Sequence, residues 1–264
     1  MCRHTKGWGE EPMGLIGKIV GGTIGFALGG PLGAIAGAVF GHAFDSPPGQ
    51  ALDPGHSQPL SSIEESQLAF FVGTFSMLAK LTAADGHVKR EEISTVESFA
   101  INDLGLSAQS RTIAFNIFRT ALDSPARFED FAHQFYERFH NQPQMIEMMI
   151  DILIRVGVSD GFLHPSEQAL IDSAVGIFNF DKNRYNQLKS RYDGVSDQAY
   201  HVLGCNSDDS IDTIKKRYRK LVQDYHPDKI ASKGLPEEFN QLAHEKFREI
   251  QDAYETIKKE RNIK

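Results

Sequence analysis

The rhythm of apolar positions changes three times along the chain. From Ile19 to Phe44, 26 residues pass without an Asp, Glu, Lys or Arg. The apolar side chains Ile19, Val20, Ile24, Phe26, Leu28, Leu32, Ile35, Val39 and Phe40 are set among glycines there. Gly17, Gly21, Gly25, Gly29, Gly33, Gly37 and Gly41 keep an unbroken four-residue period. As a helix the uncharged run extends ~39 Å at ~1.5 Å per residue, enough for a hydrocarbon core of ~30 Å. So many glycines would weaken a helix in water by roughly 1 kcal/mol each. In lipid the alternative is unsatisfied backbone, so the helix holds. Positions four apart drift slowly around the axis, and the seven glycines form a flat strip where a second backbone can approach. The pattern predicts one transmembrane helix over 14–44 that pairs with its own copy. A secretory signal has a shorter apolar core, and a hairpin broken at Gly30-Pro31 leaves arms too short to cross.

Residues 45–62 read as a linker, with four prolines and two glycines between Ser46 and Ser62. A different rhythm then runs over 63–193. Leu68, Phe71, Val72, Phe75 and Leu78 recur at three and four residues, which marks an amphipathic helix. Similar periodicity continues to about Tyr192, broken at Asp85-Gly86, Gly105, Pro125, Pro143, Gly157 to Gly161 and Phe180-Asp181. This predicts about seven helices and no strand. Thirteen of the 18 phenylalanines fall in this stretch, enough for a core of its own.

The last 68 residues, 197–264, change again. They predict a short helix to Leu203, a turn over Gly204 to Asp209 and a basic helix from about Ser210 to Asp224. A loop from His226 and a long helix from Pro236 to Glu260 follow, opened by Pro236 and the acids Glu237 and Glu238. Ile214, Tyr218 and Leu221 share one face of the first long helix. Phe247, Ile250, Tyr254 and Ile257 share one face of the second. The two form an antiparallel hairpin capped by Tyr200 and Leu203. The fold class is therefore all-α throughout.

Chemistry-bearing residues concentrate in that last segment. Lys215, Lys216, Arg219 and Lys220 lie opposite the apolar face of the basic helix, which runs directly into Tyr225-His226-Pro227-Asp228-Lys229. Pro227 fixes the backbone there, and Asp228 is placed to hold His226. Together with Tyr200 to Gly204 upstream and Phe247 to Glu255 downstream, four motifs stand in order. The segment resembles the J-domain of DnaJ-type Hsp70 co-chaperones. The resemblance implies that His226, Pro227 and Asp228 form the loop that stimulates ATP hydrolysis by Hsp70 (DnaK). It also implies that Lys215, Lys216, Arg219 and Lys220, with Lys229 beside them, dock the ATP-bound partner. The Gly/Phe-rich linker and zinc repeats of full-length DnaJ are absent, so a general client-binding role is not implied.

The central stretch holds an internal repeat. Asp85-Gly86-His87-Val88 leads to Glu92, and Asp160-Gly161-Phe162-Leu163 leads to Glu167, 75 residues apart, which suggests two related helical halves. Asp85, His87, Asp160 and His164 become metal-ligand candidates if the halves pack about a pseudo-twofold axis. Acids that cap helices and histidines that face solvent explain the same residues, and no tight spacing rule selects a metal. No cofactor or metal is assigned. With Leu163 to Glu167, the two Asp-Gly turns resemble the TerB family. The glycine-rich span, a TerB-like domain and a terminal J-domain together resemble the DjlA subgroup of membrane-anchored bacterial co-chaperones.

Composition narrows the remainder. The formal net charge is −7, with −6 arising between residues 60 and 196 and zero over the last 68. This argues against nucleic acid as the partner. Cys2 and Cys205 make no disulfide framework, and Cys205 reads as packing. The chain carries none of the G-x-S-x-G, P-loop or H-E-x-x-H signatures of an enzyme. Arg3, Lys6 and Lys18 precede the span and no Lys or Arg follows before Lys80, which by charge places the N-terminus in the cytoplasm. The resemblance implies the reverse, because Hsp70 and its ATP are cytosolic. The expected topology is single-pass in the bacterial inner membrane with the J-domain in the cytoplasm. Met13 to Lys18 resembles a natural start, and 1–12 then read as an extension. A second reading keeps a different class: a membrane stress-response scaffold whose TerB-like domain binds a metal or protein, with Hsp70 recruited secondarily.

Overall fold

A computed structural model describes residues 28–41, 60–159, 161, 163–192 and 198–263. Among them every regular element is helical. Helix α1 spans Gly30–Gly41, and seven further helices build the central bundle. These are α2 (Ser62–Thr82), α3 (Arg90–Ser98), α4 (Ala108–Asp123), α5 (Phe128–Phe139), α6 (Pro143–Gly157), α7 (Pro165–Ile177) and α8 (Lys182–Ser190). The C-terminal unit adds α9 (Gln198–Leu203), α10 (Ile211–Asp224), α11 (Pro227–Ser232) and α12 (Asn240–Glu260).

Helix α2 is the axis of the bundle. It is apolar on all sides, and Leu68 to Ala79 are buried around the full circumference, the pattern of a helix inside a core. Ser61 starts it with a reciprocal cap. Its backbone N–H donates to Glu64 Oε2 at 2.9 Å, and its hydroxyl accepts from the Glu64 N–H at 3.3 Å. The strongly amphipathic α5 sets Phe131, Phe135 and Phe139 against α2. Phe70 meets Phe135 at 5.6 Å and Phe139 at 5.8 Å between ring centroids.

The glycines and the helix starts of the two repeat copies are placed alike. Gly86 and Gly161 take positive φ angles of 86° and 103°. Three residues after each, the first N–H of the next helix is capped by the repeat's glutamate. The Lys89 N–H donates to Glu92 Oε2 at 2.8 Å, and the His164 N–H to Glu167 Oε2 at 3.1 Å.

Helix α1 covers only part of the predicted span over 14–44, and the expectation of one unbroken helix is corrected at Gly29 and Gly30, whose φ angles of 55° and 53° take the chain out of right-handed helix just before Pro31; residues 14–27 and 42–44 lie outside the described residues. No helix among the described residues is long and apolar enough to cross a membrane. Leu32, Ile35, Ala36 and Phe40 of α1 are buried against α2, α4 and α5. Gln134 on α5 clamps its start, donating to the Leu28 and Gly29 carbonyls at 2.7 Å and accepting from the Leu32 N–H at 2.7 Å. Gly37 faces open space on the outer side.

In the C-terminal unit α10 and α12 pair antiparallel, and Tyr218 stacks flat on Tyr254 at 3.9 Å. Tyr200, Val202 and Leu203 of α9 are buried against α12. Two sequence expectations are corrected here. The segment after His226 is not all loop: Pro227, whose fixed φ suits a first helical position, opens the short α11. The last helix also begins later than Pro236. A 3-10 turn over Glu237–Phe239 comes first, because Phe239 turns inward and packs on Phe70 at 5.0 Å. The aromatic core of the bundle thus receives a side chain from the J-domain-like unit, and the two share one core.

Candidate partner-docking site

Helix α10 is started by Ser210, whose hydroxyl accepts from the Thr213 N–H at 3.2 Å. Ile214 is buried beneath it, while Lys216, Arg219 and Lys220 are exposed and Lys215 is half-buried. The structure therefore brings the expected cations to one side of the helix. Arg217, which the sequence reading passed over, is exposed as well. Position i+1 from Lys216 turns it about 100° around the axis, so a face-by-face reading left it out.

At the end of α10 the chain turns at Tyr225 into His226-Pro227-Asp228. The Asp228 side chain is 94% exposed and that of His226 is 52% exposed. His226 Nδ1 lies 3.8 Å from Asp228 Oδ2, beyond hydrogen-bonding distance. The expectation that Asp228 holds His226 is corrected accordingly: the imidazole instead rests edge-on against Phe247 of α12, centroids 5.8 Å apart. Lys229 turns back to Asp224, Nζ to Oδ1 at 3.0 Å, and closes the loop across its base. Ile230 is buried and pins α11. The result is a braced corner with an imidazole and a carboxylate projecting from it.

Behind this corner lies a charged layer that the sequence did not reveal. Lys246 of α12 is buried with its Nζ 3.3 Å from Asp151 and 3.7 Å from Glu147 of α6. Arg184 pairs with Glu147 at 2.7 Å, and Arg191 with Asp151 at 3.3 Å and with Glu249. The Tyr192 hydroxyl donates to Asp151 at 2.9 Å, and the Tyr225 hydroxyl to Glu147. Burial alone would raise both carboxyls. The positive charges of Arg184 and Lys246 outweigh it at Glu147, and those of Lys246 and Arg191 at Asp151, so both are held below the usual carboxylate range. Burial, reinforced by Glu147, raises the Tyr225 phenol well above its ordinary value. Gly234, at φ 92°, lets the chain pass so close to α2 that a Cβ would sit 2.5 Å from that of Ser66. The Gln67 amide then donates to the Leu235 carbonyl at 3.2 Å.

The metal-ligand candidates come together only in part. Asp85 and His164 line one cleft of about 130 Å³ with Lys89, Glu92 and Glu167, whereas His87 does not line it. Asp160 lies outside the described residues. Lys89 salt-bridges Asp85 at 2.9 Å, and its charge and hydrogen bond lower that carboxyl. Among the described residues no three His, Cys, Asp or Glu side chains gather as a metal site. Cys205 is buried, as its packing role predicts, and burial with nearby Asp209 pushes its thiol up to about 11.

Three family models match in chain order. The transmembrane domain of the co-chaperone DjlA matches residues 13–59, tellurite resistance protein TerB 71–190, and the DnaJ domain 198–264. The co-chaperone protein DjlA of Escherichia coli K12 is 30% identical over 224 residues, which covers 76% of this chain and 82% of the relative. The chain belongs to the DjlA co-chaperone family. DjlA of Shewanella oneidensis is 28% identical over 84% of the chain and 89% of its own length. DjlA of Photobacterium profundum is 29% identical over 76% and 81%. No solved structure matches. Membership makes the chain a DnaJ-type co-chaperone with a transmembrane domain, a TerB domain and a J-domain, and it points to membrane association and an Hsp70 partner.

Proposed function

We propose that the chain is a non-catalytic regulator that stimulates ATP hydrolysis by Hsp70 (DnaK) through His226, Pro227 and Asp228. Lys215, Lys216, Arg219 and Lys220 attract the partner's acidic surface and orient it, with Lys229 bracing the loop rather than contributing a free charge. The observation that carries this reading is the exposed His226 and Asp228 at the mouth of an exposed cationic helix face, on a corner braced from behind. Electrostatic docking followed by a conformational bias on the partner's ATPase needs no chemistry from the J-domain itself. The glycine-rich segment anchors the chain as a single pass in the inner membrane, α1 leaving its seat against α2, α4 and α5 to enter the bilayer, with the J-domain in the cytoplasm where ATP-loaded Hsp70 is available. Gly17, Gly21, Gly25, Gly29, Gly33, Gly37 and Gly41 pair two copies into a homodimer.

The test is steady-state ATP turnover by purified DnaK with the full chain in lipid nanodiscs. His226→Gln is expected to return turnover to the basal rate of DnaK alone, with an unchanged circular dichroism spectrum. Stimulation that persists in this variant ends the proposal.

A further inference from the structure

The seat that holds α1 on the central bundle reads little of the helix's own sequence. Helix α1 is GPLGAIAGAVFG, with no charged or hydrogen-bonding side chain. Leu32, Ile35, Ala36 and Phe40 turn inward at helical spacing, while Ala34, Gly37 and Ala38 face solvent. Gly73 of α2 makes room for the closest approach: a Cβ there would stand 3.0 Å from the Phe135 ring and 3.9 Å from Leu32 Cδ1. The polar grip falls on backbone. Gln134 of α5 donates to the Leu28 and Gly29 carbonyls and accepts from the Leu32 N–H, each at 2.7 Å. The Leu32 N–H lies in the first turn, where no helical carbonyl precedes it, and one side-chain amide both donates and accepts there. Such a seat suits an uncharged helix with large apolar side chains on one face, whatever its detailed sequence.

When α1 enters the bilayer, the groove between α2, α4 and α5 opens to water. Its apolar surface favours being covered again, in proportion to the area exposed. Lipid tails carry no backbone groups for Gln134 to bind. In the proposed homodimer the second copy's α1 is committed to the same membrane, so neither copy has a spare α1 for the other's seat. The occupant that matches both the apolar face and the amide grip is an apolar helix of another polypeptide.

We infer that the α2–α4–α5 groove is a docking site for an uncharged apolar helix of a client polypeptide, closed by α1 in this structure and opened as α1 enters the membrane. This rests on the membrane-anchored function proposed above and deepens it. Hsp70 recruited by the J-domain then meets a chain already held by the TerB-like domain.

The test uses the full chain in phosphatidylcholine nanodiscs and a fluorescent peptide of residues 28–41 with a terminal lysine tag for solubility. Binding is read by anisotropy after subtraction of the signal from empty discs. The peptide is expected to bind saturably, and Gln134→Ala is expected to weaken it severalfold with an unchanged circular dichroism spectrum. A peptide carrying Leu32→Ser, Ile35→Ser and Phe40→Ser is expected not to bind. No binding beyond empty discs, equal binding of the two peptides, or a Gln134→Ala chain that binds like the parent overturns the inference.

A Leu28→Cys/Gln134→Cys chain treated with a short bis-maleimide, in a Cys2→Ser background with Cys205 buried, separates the two levels. Tethered without lipid, it is expected to lose peptide binding, and binding that survives the tether overturns the inference. In nanodiscs little intrachain crosslink is expected, because the seat is vacant. If the crosslink is absent and the peptide still does not bind, only the docking site fails. An intrachain crosslink as efficient in nanodiscs as without lipid shows α1 still seated, and the single-pass anchor fails with it. A crosslink between two copies puts a second α1 in the seat and overturns the inference.

Discussion

Lys216 and Lys246 belong to the same helical hairpin and differ chiefly in what surrounds them. Lys216 stands on the outer face of α10 in solvent, while Lys246 of α12 is buried among Asp151, Glu147 and their arginine partners. In water a single cation contributes little to stability, because the solvent already accommodates its charge. Its field still reaches an approaching partner. In the buried layer the cost of desolvation makes each charge depend on its neighbours, and the same side chain becomes a structural fastening. One face of the unit is therefore free to recognise and the other is committed to holding.

The largest expected effect is on the committed face. Asp151 accepts from Lys246, Arg191 and the Tyr192 hydroxyl. Asp151→Ala leaves those donors short of a partner and should cost about 3–5 kcal/mol, a large share of an ordinary folding free energy of ~5–15 kcal/mol. Denaturant unfolding followed by circular dichroism measures it. A loss below about 1 kcal/mol would mean that the layer is wetter and weaker than its geometry implies.

The legibility of the two faces in the sequence follows from the same physics. The outer face could be read because exposed cations obey helical spacing and lead into a compact motif, so periodicity alone places Lys216, Arg219 and Lys220 together. The inner face could not. Glu147, Asp151, Arg184 and Lys246 each look like an ordinary solvated charge on an amphipathic helix, and only tertiary packing of α6, α8 and α12 brings them together. Phe239 was hidden for a similar reason: it follows Pro236, Glu237 and Glu238, a strong helix-start signal that concealed an inward turn. The seven helices of the bundle were legible, since their breaks coincide with Gly, Pro and Asp-Gly positions. In the glycine-rich segment the four-residue period was so regular that it obscured a second pattern. Leu32, Ile35, Ala36 and Phe40 form an apolar stripe, which the structure packs on the bundle.

Acid sharpens the comparison at an intermediate magnitude. Glu147 and Asp151 have lower pKa values in the folded chain than when unfolded. Their contribution is fully present above the ordinary carboxylate pKa of about 4 and is lost as pH falls further below it. The melting temperature should therefore stay nearly level from neutral pH down to about 5 and drop steeply below about 4. In Asp151→Asn the curve should start lower and fall less, because one of the two linked protons has been removed from the balance. Parallel curves for the two proteins would show that the acid sensitivity arises elsewhere.

The smallest effect on stability is expected on the outer face, and there the two faces separate most cleanly. Lys216→Ala and Arg219→Ala remove exposed charges for which no buried partner is left behind. Each should alter unfolding free energy by no more than about 0.5 kcal/mol. Both together should nevertheless raise the concentration needed for half-maximal Hsp70 stimulation, with a dependence on ionic strength weaker than in the parent chain. Asp151→Ala behaves in the opposite sense, destabilising strongly while leaving every outward cation in place. A pair of outer-face substitutions that destabilised the fold yet left the stimulation curve unmoved would reverse the assignment of the two faces. The outcome turns on desolvation: a charge that keeps its water can be spent on a partner, and one that has lost it is already bound to its own fold.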